Sequence, residues 1–92
     1  MSSSWTFFTN HGHIIFSVAR NPEITVREMA IEIGITERAV QRIISELEAD
    51  GYIKISKIGR KNSYKLFGKK PLKHSVEKNC KIGEVVELIV NN

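Results

Sequence analysis

The chain has 92 residues, of which 41% are hydrophobic and 26% are charged. This length and composition predict one domain over residues 1–92, with flexible residues 1–6, and exclude a disordered chain or two separate cores. One cysteine excludes an internal disulfide framework, and so small a domain is not expected to hold a large substrate pocket. No apolar run reaches the roughly 18 residues of a membrane span, and no signal peptide is recognisable, so the sequence predicts a cytoplasmic protein.

The net charge of +4 is concentrated in the third quarter of the chain. Residues 52–81 carry ten basic side chains against Glu77 alone, a net +9, whereas residues 1–51 carry a net −3. Lysines can keep exposed strand edges soluble, but nine net charges exceed that need. A local positive field favours an anionic partner: nucleic acid, an acidic protein or an anionic membrane surface.

Apolar residues at helical spacing predict a first helix that starts at Phe8 and ends at the Asn21-Pro22 pair. Its apolar face comprises Phe8, His11, Ile14, Ile15 and Val18. Because His11 lies on this face, it is expected to be a half-buried core or interface residue.

Two further helices, at about residues 25–50, are separated by a very short turn. Thr25 and Glu28 have the spacing of a capping box, and Gly34 is placed as a left-handed C-cap. Thr36 can then cap a third helix that Gly51 terminates. The apolar side of that helix comprises Ala39, Val40, Ile43 and Leu47. This arrangement predicts a helix-turn-helix.

The apolar period then changes from 3.6 to 2, which predicts a β-hairpin at about residues 52–67 with a basic turn at residues 59–62. A loop follows, and an apolar helix is predicted at about residues 81–91. The element order predicts a mostly helical α+β fold: a winged helix-turn-helix with a three-helix core, a two-stranded β-wing and a C-terminal helix.

The run from Ile24 to Tyr64 resembles winged helix-turn-helix transcriptional regulators of the MarR and ArsR type. The motifs that carry the resemblance are Val26-Arg27-Glu28-Met29-Ala30, Gly34-Ile35-Thr36, Val40-Gln41-Arg42-Ile43, Leu47, Gly51-Tyr52-Ile53 and Gly59-Arg60-Lys61-Asn62-Ser63-Tyr64. The resemblance implies a homodimeric, sequence-specific DNA-binding regulator. It leaves open whether a small-molecule effector is sensed.

The outward positions of the third helix are expected to enter the major groove of double-stranded DNA. The predicted DNA contacts are Arg27, Thr36, Glu37, Arg38, Gln41, Arg42, Ser45, Arg60, Lys61, Asn62 and Ser63. Within this set Arg27 and Thr36 are expected at phosphates, and the wing residues at phosphates or the flanking minor groove. Two alternatives to base contacts stay open. The Glu37 carboxylate can interact favourably with the dipole at the start of the helix, and Arg42 can form an ion pair with Glu46.

The last helix is too apolar for an exposed terminal segment, so it is predicted to form a two-fold dimer interface. The interface residues are expected to be Ile82, Val85, Val86 and Ile89. The preferred function is a dimeric regulator, most simply a repressor. The alternatives are a winged-helix protein–protein interaction module and a nonspecific nucleic-acid binder.

The sequence contains no arrangement typical of catalysis or metal binding, so no enzyme, cofactor or metal site is predicted. His11 and His13 point about 200° apart on a helix, and Cys80 has no partner at ligand spacing. The aromatic cluster at residues 5–8 is interpreted as packing beneath the hairpin or last helix, with a base-stacking platform as the alternative.

Overall fold

The computed structural model describes residues 4–91 and contains the predicted elements in the predicted order. They are α1 (Asn10–Arg20), α2 (Val26–Ile33), α3 (Glu37–Ala49), β1 (Ile53–Ile58), β2 (Lys61–Leu66) and α4 (Ile82–Val90). The two strands form one antiparallel sheet. The prediction of a mostly helical winged helix-turn-helix is confirmed.

The helix-turn-helix boundaries follow from local hydrogen bonding. The Thr25 hydroxyl accepts from the Glu28 N–H at 3.0 Å, and the Glu28 carboxylate accepts from the Thr25 N–H at 2.9 Å. That second bond is the main reason why the pKa of Glu28 is lowered. Thr36 caps α3 with one bond only, in which its hydroxyl accepts from the Ala39 N–H, and Gly34 ends α2 with a φ of 84°. Glycine takes this left-handed conformation without the steric cost of a Cβ.

The first helix begins two residues later than the apolar spacing predicts. Thr9 has extended backbone and no side-chain capping bond, so Phe8 lies outside α1. Its ring still packs edge to face on Phe16, with centroids 5.1 Å apart. The apolar pattern is thus continued by a residue that is not helical.

A single hydrophobic core lies between the three helices, the inner side of the wing and the start of α4. Ile14, Met29 and Val40, one from each of the first three helices, are fully buried at 0% exposure. Ile44 is also buried, so the apolar side of α3 is wider than predicted. This packing fixes which side of α3 faces solvent.

The wing is a hairpin with a two-residue loop. Ile53 pairs with Leu66 and Ile55 with Tyr64, which directs these side chains toward the core. The strands continue to Ile58 and Lys61, so the predicted four-residue turn is reduced to Gly59 and Arg60. Gly59 has a φ of 65°, which suits the first loop position of a tight hairpin.

Tyr52 lies between the end of α3 and the wing and is 7% exposed. Its N–H donates to the Leu47 carbonyl at 3.0 Å, and its carbonyl accepts from the Phe67 N–H at 2.9 Å. Its hydroxyl donates to the Pro71 carbonyl at 2.6 Å. Burial raises the pKa of this phenol, so it remains a donor at neutral pH. Tyr52 therefore connects α3, the wing and the loop that follows.

The loop from residue 67 to 81 returns the chain to α1, against which α4 packs. Pro71 forms an isolated bridge with Lys81. Ile82 and Val86 are then buried in the core of this same chain. They were predicted to lie at a dimer interface. This part of the prediction is wrong because their surface is already covered within the chain.

The N-terminal segment contributes little to the core. The prediction of flexible residues 1–6 falls partly on residues 1–3, which lie outside the described residues. Trp5 and Phe7 are 65% and 89% exposed, so the expectation that they pack beneath the hairpin or α4 is wrong. Within residues 4–91 no helix has the length and apolar character needed to cross a membrane.

Candidate nucleic-acid interface

The solvent side of α3 presents a row of polar side chains. Burial of Val40, Ile43, Ile44 and Leu47 turns the opposite side outward. All six predicted contact residues of this segment are exposed: Thr36, Glu37, Arg38, Gln41, Arg42 and Ser45. Several of them are side chains that can bond base edges in a major groove.

The start of α3 is suited to a phosphate. The Thr36 hydroxyl oxygen accepts from the Ala39 N–H at 3.0 Å, which leaves its own hydrogen free to be donated. Glu37 occupies the first turn, where a carboxylate is favoured by the helix dipole. Arg27, predicted to reach the backbone from α2, is exposed.

Arg42 belongs to a small network that includes α1. Its Nη1 lies 3.4 Å from both carboxylate oxygens of Glu46, and His11 Nε2 lies 2.7 Å from Glu46 Oε1. The hydrogen bond with His11 is the main reason why the pKa of Glu46 is lowered, and Arg42 adds to the effect. The contact with Arg42 is long and exposed, so a guanine can compete for the guanidinium.

The tip of the wing carries exposed positive charge. Arg60 and Lys61 are exposed, and neither forms an ion pair within residues 4–91. Lys57, which sequence reasoning did not single out, pairs with Asn62 across the hairpin. The strand alternation was the signal for it, because Lys57 lies two residues after Ile55 and therefore on the core-facing side of the hairpin.

Asn62 and Ser63 are less accessible than predicted, since both are half-buried. The Asn62 amide nitrogen lies 3.5 Å from the Tyr64 hydroxyl. Its Oδ1 is buried without a hydrogen-bond partner in the described structure. Asn62 lies on the core side of the hairpin, so it is not the freely exposed donor that the sequence suggested.

The wing tip lies next to the start of α2. Lys57, Arg60, Lys61 and Thr25 line a shallow depression of about 180 Å³ between them. Lys61 is close enough to Glu28 to contribute to the lowering of its pKa. The fold therefore brings the basic hairpin beside the helix-turn-helix, as DNA binding by both elements requires.

A second concave surface contradicts the expectation that the domain holds no large pocket. An open groove of about 690 Å³ lies between α1, the end of α3, the loop and α4. His11, Glu46, Asp50 and Lys73 lie on it, together with an apolar lining. That lining includes Phe7, Phe8, Ile15, Phe16, Leu72 and Val85. The groove exists because the loop and α4 cover only part of the core.

A family model described as winged helix-turn-helix DNA-binding matches residues 9–54, from the N-cap of α1 into β1. The chain belongs to this winged helix-turn-helix family. The matched residues comprise α1, α2, α3 and the start of β1. They therefore include the helix whose polar side faces solvent. Membership of the family places the protein among DNA-binding domains. No curated protein matches the sequence.

One solved structure of similar fold is AdcR, a zinc-dependent MarR family transcriptional regulator in its Zn(II)-bound state. The two share 25% identity with a TM-score of 0.50, over 71% of this chain and 46% of that one. The winged-helix chain thus spans less than half of the AdcR length. The resemblance to MarR-type regulators is confirmed. In residues 4–91, no three His, Cys, Asp or Glu side chains converge as a metal site requires.

Proposed function

We propose that this winged-helix protein is a sequence-specific regulator of transcription that binds double-stranded DNA with α3 in the major groove. One observation carries the proposal: α3 turns a polar side to solvent, and the same helix-turn-helix has at the start of its α2 a basic wing whose tip has no intrachain ion pair in the described residues. Family membership and the MarR-type fold support it.

Base readout is assigned to the middle of α3. Arg38 and Gln41 make no side-chain hydrogen bond or ion pair within residues 4–91, so neither must break a contact to reach a base. Arginine suits a guanine and glutamine an adenine. Arg42 is a third reader, after it exchanges Glu46 for a base edge.

Phosphate contacts are assigned to the flanks of this surface. Thr36 and Arg27 lie at the starts of α3 and α2, and Arg60 and Lys61 at the wing tip. Such contacts fix the register of the protein on the duplex without reading its sequence.

We assign α4 to a two-fold dimer contact, through the part that the core leaves uncovered. Leu88 is 69% and Ile89 37% exposed, and Val85 and Val90 are half-buried beside them. A two-fold axis places two recognition helices about 34 Å apart on a palindromic site. Occlusion of a promoter by such a dimer in the cytoplasm is repression in its simplest form.

The test is a selection of bound duplexes from a random pool, followed by titration of the selected duplex and a random one at physiological salt. The selected duplex should bind at least roughly 10³-fold more tightly. Equal affinities would remove sequence specificity and favour a nonspecific binder. Absence of binding to any duplex would favour the protein–protein interaction module.

A further inference from the structure

His11 of α1 contacts α3 through the Glu46 carboxylate. Its Nε2 lies 2.7 Å from Glu46 Oε1, whereas Arg42 Nη1 lies 3.4 Å from each oxygen of the same carboxylate. An ionised carboxylate only accepts hydrogen bonds, so His11 Nε2 carries a hydrogen whether the ring is neutral or protonated. Glu46 thus has one donor from α1 and one from α3, and the shorter contact is the one with α1.

The strength of the His11 contact depends on the charge of the imidazole ring. His11 Nδ1 makes no hydrogen bond within residues 4–91, so it can take up a proton without the loss of a contact. The bond to Glu46 then joins two ions, and hydrogen bonds of this kind are shorter and stronger than those of neutral groups. Because the carboxylate is then neutralised from α1, its attraction for the Arg42 guanidinium falls. Protonation of His11 therefore weakens the pair of Arg42 and Glu46.

The other charged side chains around His11 do not connect it to a predicted DNA contact. His11 lines the open groove described above, to which α2 and β2 contribute no described residue and α4 contributes only apolar ones. Besides Glu46, the charged residues on that groove are Asp50, Lys73 and Glu77. Asp50 is bonded to Lys73 at 2.8 Å, and Glu77 forms no ion pair within residues 4–91. Glu46 is thus the described side chain that joins His11 to a residue assigned to DNA.

We propose that Glu46 and His11 are positioning residues that make base readout by Arg42 depend on pH: when His11 is protonated, Glu46 pairs with it and Arg42 is released to a base edge. The proposal rests on the DNA-binding function above, in which Arg42 exchanges Glu46 for a base edge. Neither Glu46 nor His11 is required to touch the duplex. Their role is to set how much binding free energy that exchange costs.

The expected pH window is that of histidine, whose charge changes between about pH 5 and 8. Glu46 remains ionised throughout this window, because the hydrogen bond with His11 and the charge of Arg42 hold the pKa of Glu46 below its ordinary value. Since binding favours the protonated ring, preference for the selected duplex should rise as pH falls through the window and decline as pH rises. The pair of Arg42 and Glu46 is exposed and therefore weak, so the change should be about 2- to 5-fold.

The test is titration of the selected duplex and a random one at about pH 5.5 and about pH 8, at one salt concentration. The ratio of the two affinities is measured, because charge that acts on phosphates strengthens both duplexes alike, whereas base readout by Arg42 changes the ratio. In wild type the ratio should be about 2- to 5-fold higher at the lower pH. His11→Gln, which cannot become charged, and Arg42→Ala should each give the same ratio at both pH values.

Two further variants test the assignment to His11 and Glu46. His13→Gln is the matched control: His13 lies on the same helix but bonds Asn10, at 3.2 Å, so this variant should keep the pH dependence of wild type. Glu46→Gln removes the charge that competes for Arg42. At about pH 8 its ratio should therefore equal or exceed the wild-type ratio at about pH 5.5. Loss of folding cannot produce such a gain.

The outcomes separate this inference from the proposed function. A wild-type preference for the selected duplex that is independent of pH overturns the inference and leaves sequence-specific binding intact. So does a pH dependence that His11→Gln or Arg42→Ala retains, or that His13→Gln loses. A Glu46→Gln ratio no higher than that of wild type at about pH 8 has the same consequence. Failure of wild type to bind any duplex, or equal affinity for both duplexes, overturns the inference and the proposed function together.

Discussion

The Gly83 N–H donates to the Gly68 carbonyl at 2.9 Å, and a Cβ on Gly83 would lie only 2.8 Å from that same oxygen. It would also lie 3.0 Å from the Gly68 Cα. The base of the wing and the first turn of α4 thus meet backbone to backbone. No side chain at this point can rotate aside, so a larger residue must displace the chain.

Gly83→Ala is expected to destabilise the protein although alanine is the better helix former by about 1 kcal/mol. The forced backbone shift should leave a net loss of about 1–3 kcal/mol in the free energy of unfolding. Urea denaturation followed by circular dichroism measures it. Gly12→Ala is the control, since its Cβ meets the Phe8 side chain at 3.1 Å rather than a backbone. An equal loss in both variants would contradict this account.

Thr25→Ala should lower the free energy of unfolding by about 1 kcal/mol, because it removes the hydroxyl that caps α2. Thr9→Ala is a matched control: Thr9 is the N-cap of α1 but makes no side-chain capping bond. It should change stability little. Chemical denaturation of the two variants measures their free energies of unfolding. Similar losses in both would show that the capping box contributes no specific stability.

Both ends of α2 and the start of α3 could be predicted from the sequence because they depend on local chemistry. Thr25 with Glu28, Gly34 and Thr36 each act within a few residues, and all were placed correctly. The surface against which α4 packs could not be predicted in this way. The apolar residues of α4 indicate burial but not against what, and only the tertiary fold shows that Ile82 and Val86 pack in their own chain.

The candidate nucleic-acid interface could also be predicted only where it depends on local sequence. Exposure of Arg38 and Gln41 follows from the helical period of α3. The half-burial of Asn62 and the like-charged rung of Lys54 and Lys65 depend on strand register, which the turn length sets. A turn of four residues instead of two predicts a register shifted by two residues, in which Lys54 does not lie opposite Lys65.

Asp50 and Lys73 should make stability depend on pH at both ends of the range. Lys73 Nζ lies 2.8 Å from Asp50 Oδ2, and this hydrogen-bonded ion pair lowers the pKa of Asp50 and raises that of Lys73. A lowered carboxyl pKa contributes stability above the unfolded value of about 3.9, lost as pH falls through the folded pKa. A raised lysine pKa contributes stability below the unfolded value of about 10.4, lost as pH rises through the folded pKa.

Asp50→Asn should therefore lower the melting temperature at pH 7 by a small amount, because the pair is exposed. The difference from wild type should vanish toward pH 2. Lys73→Met provides the matching variant, and the two changes combined should cost no more than either one alone. A difference that persists at pH 2 would assign the effect to something other than the ion pair.

Gln41→Ala and the pair Arg60→Ala with Lys61→Ala should separate base readout from phosphate binding. Loss of Gln41 should relax preference at one base position, at a cost of about 1–3 kcal/mol for the preferred duplex. Loss of the two wing residues should weaken binding to all duplexes alike and lower the salt slope by about 2. Selection with each variant measures the first effect, and titration the second. An unchanged consensus for Gln41→Ala would exclude it as a reader.

Leu88→Glu should convert the proposed dimer to a monomer, because it places a charge on the exposed apolar part of α4. Light scattering at micromolar concentration gives the mass. Val76→Glu is the control, since Val76 is 86% exposed but lies in the loop before α4. A monomeric mass for wild type would exclude the dimer outright.

Tyr52 connects α4 to α3 through hydrogen bonds. Its backbone is bonded to Leu47 in α3, and its hydroxyl to Pro71, whose neighbour Lys70 accepts from the first N–H of α4 at 2.8 Å. Because these hydrogen bonds join the start of α4 to the end of α3, a tilt of α4 is expected to move α3 as well. In a pair of chains that meet through α4, the crossing angle of those two helices would set which half-site separation the pair can span.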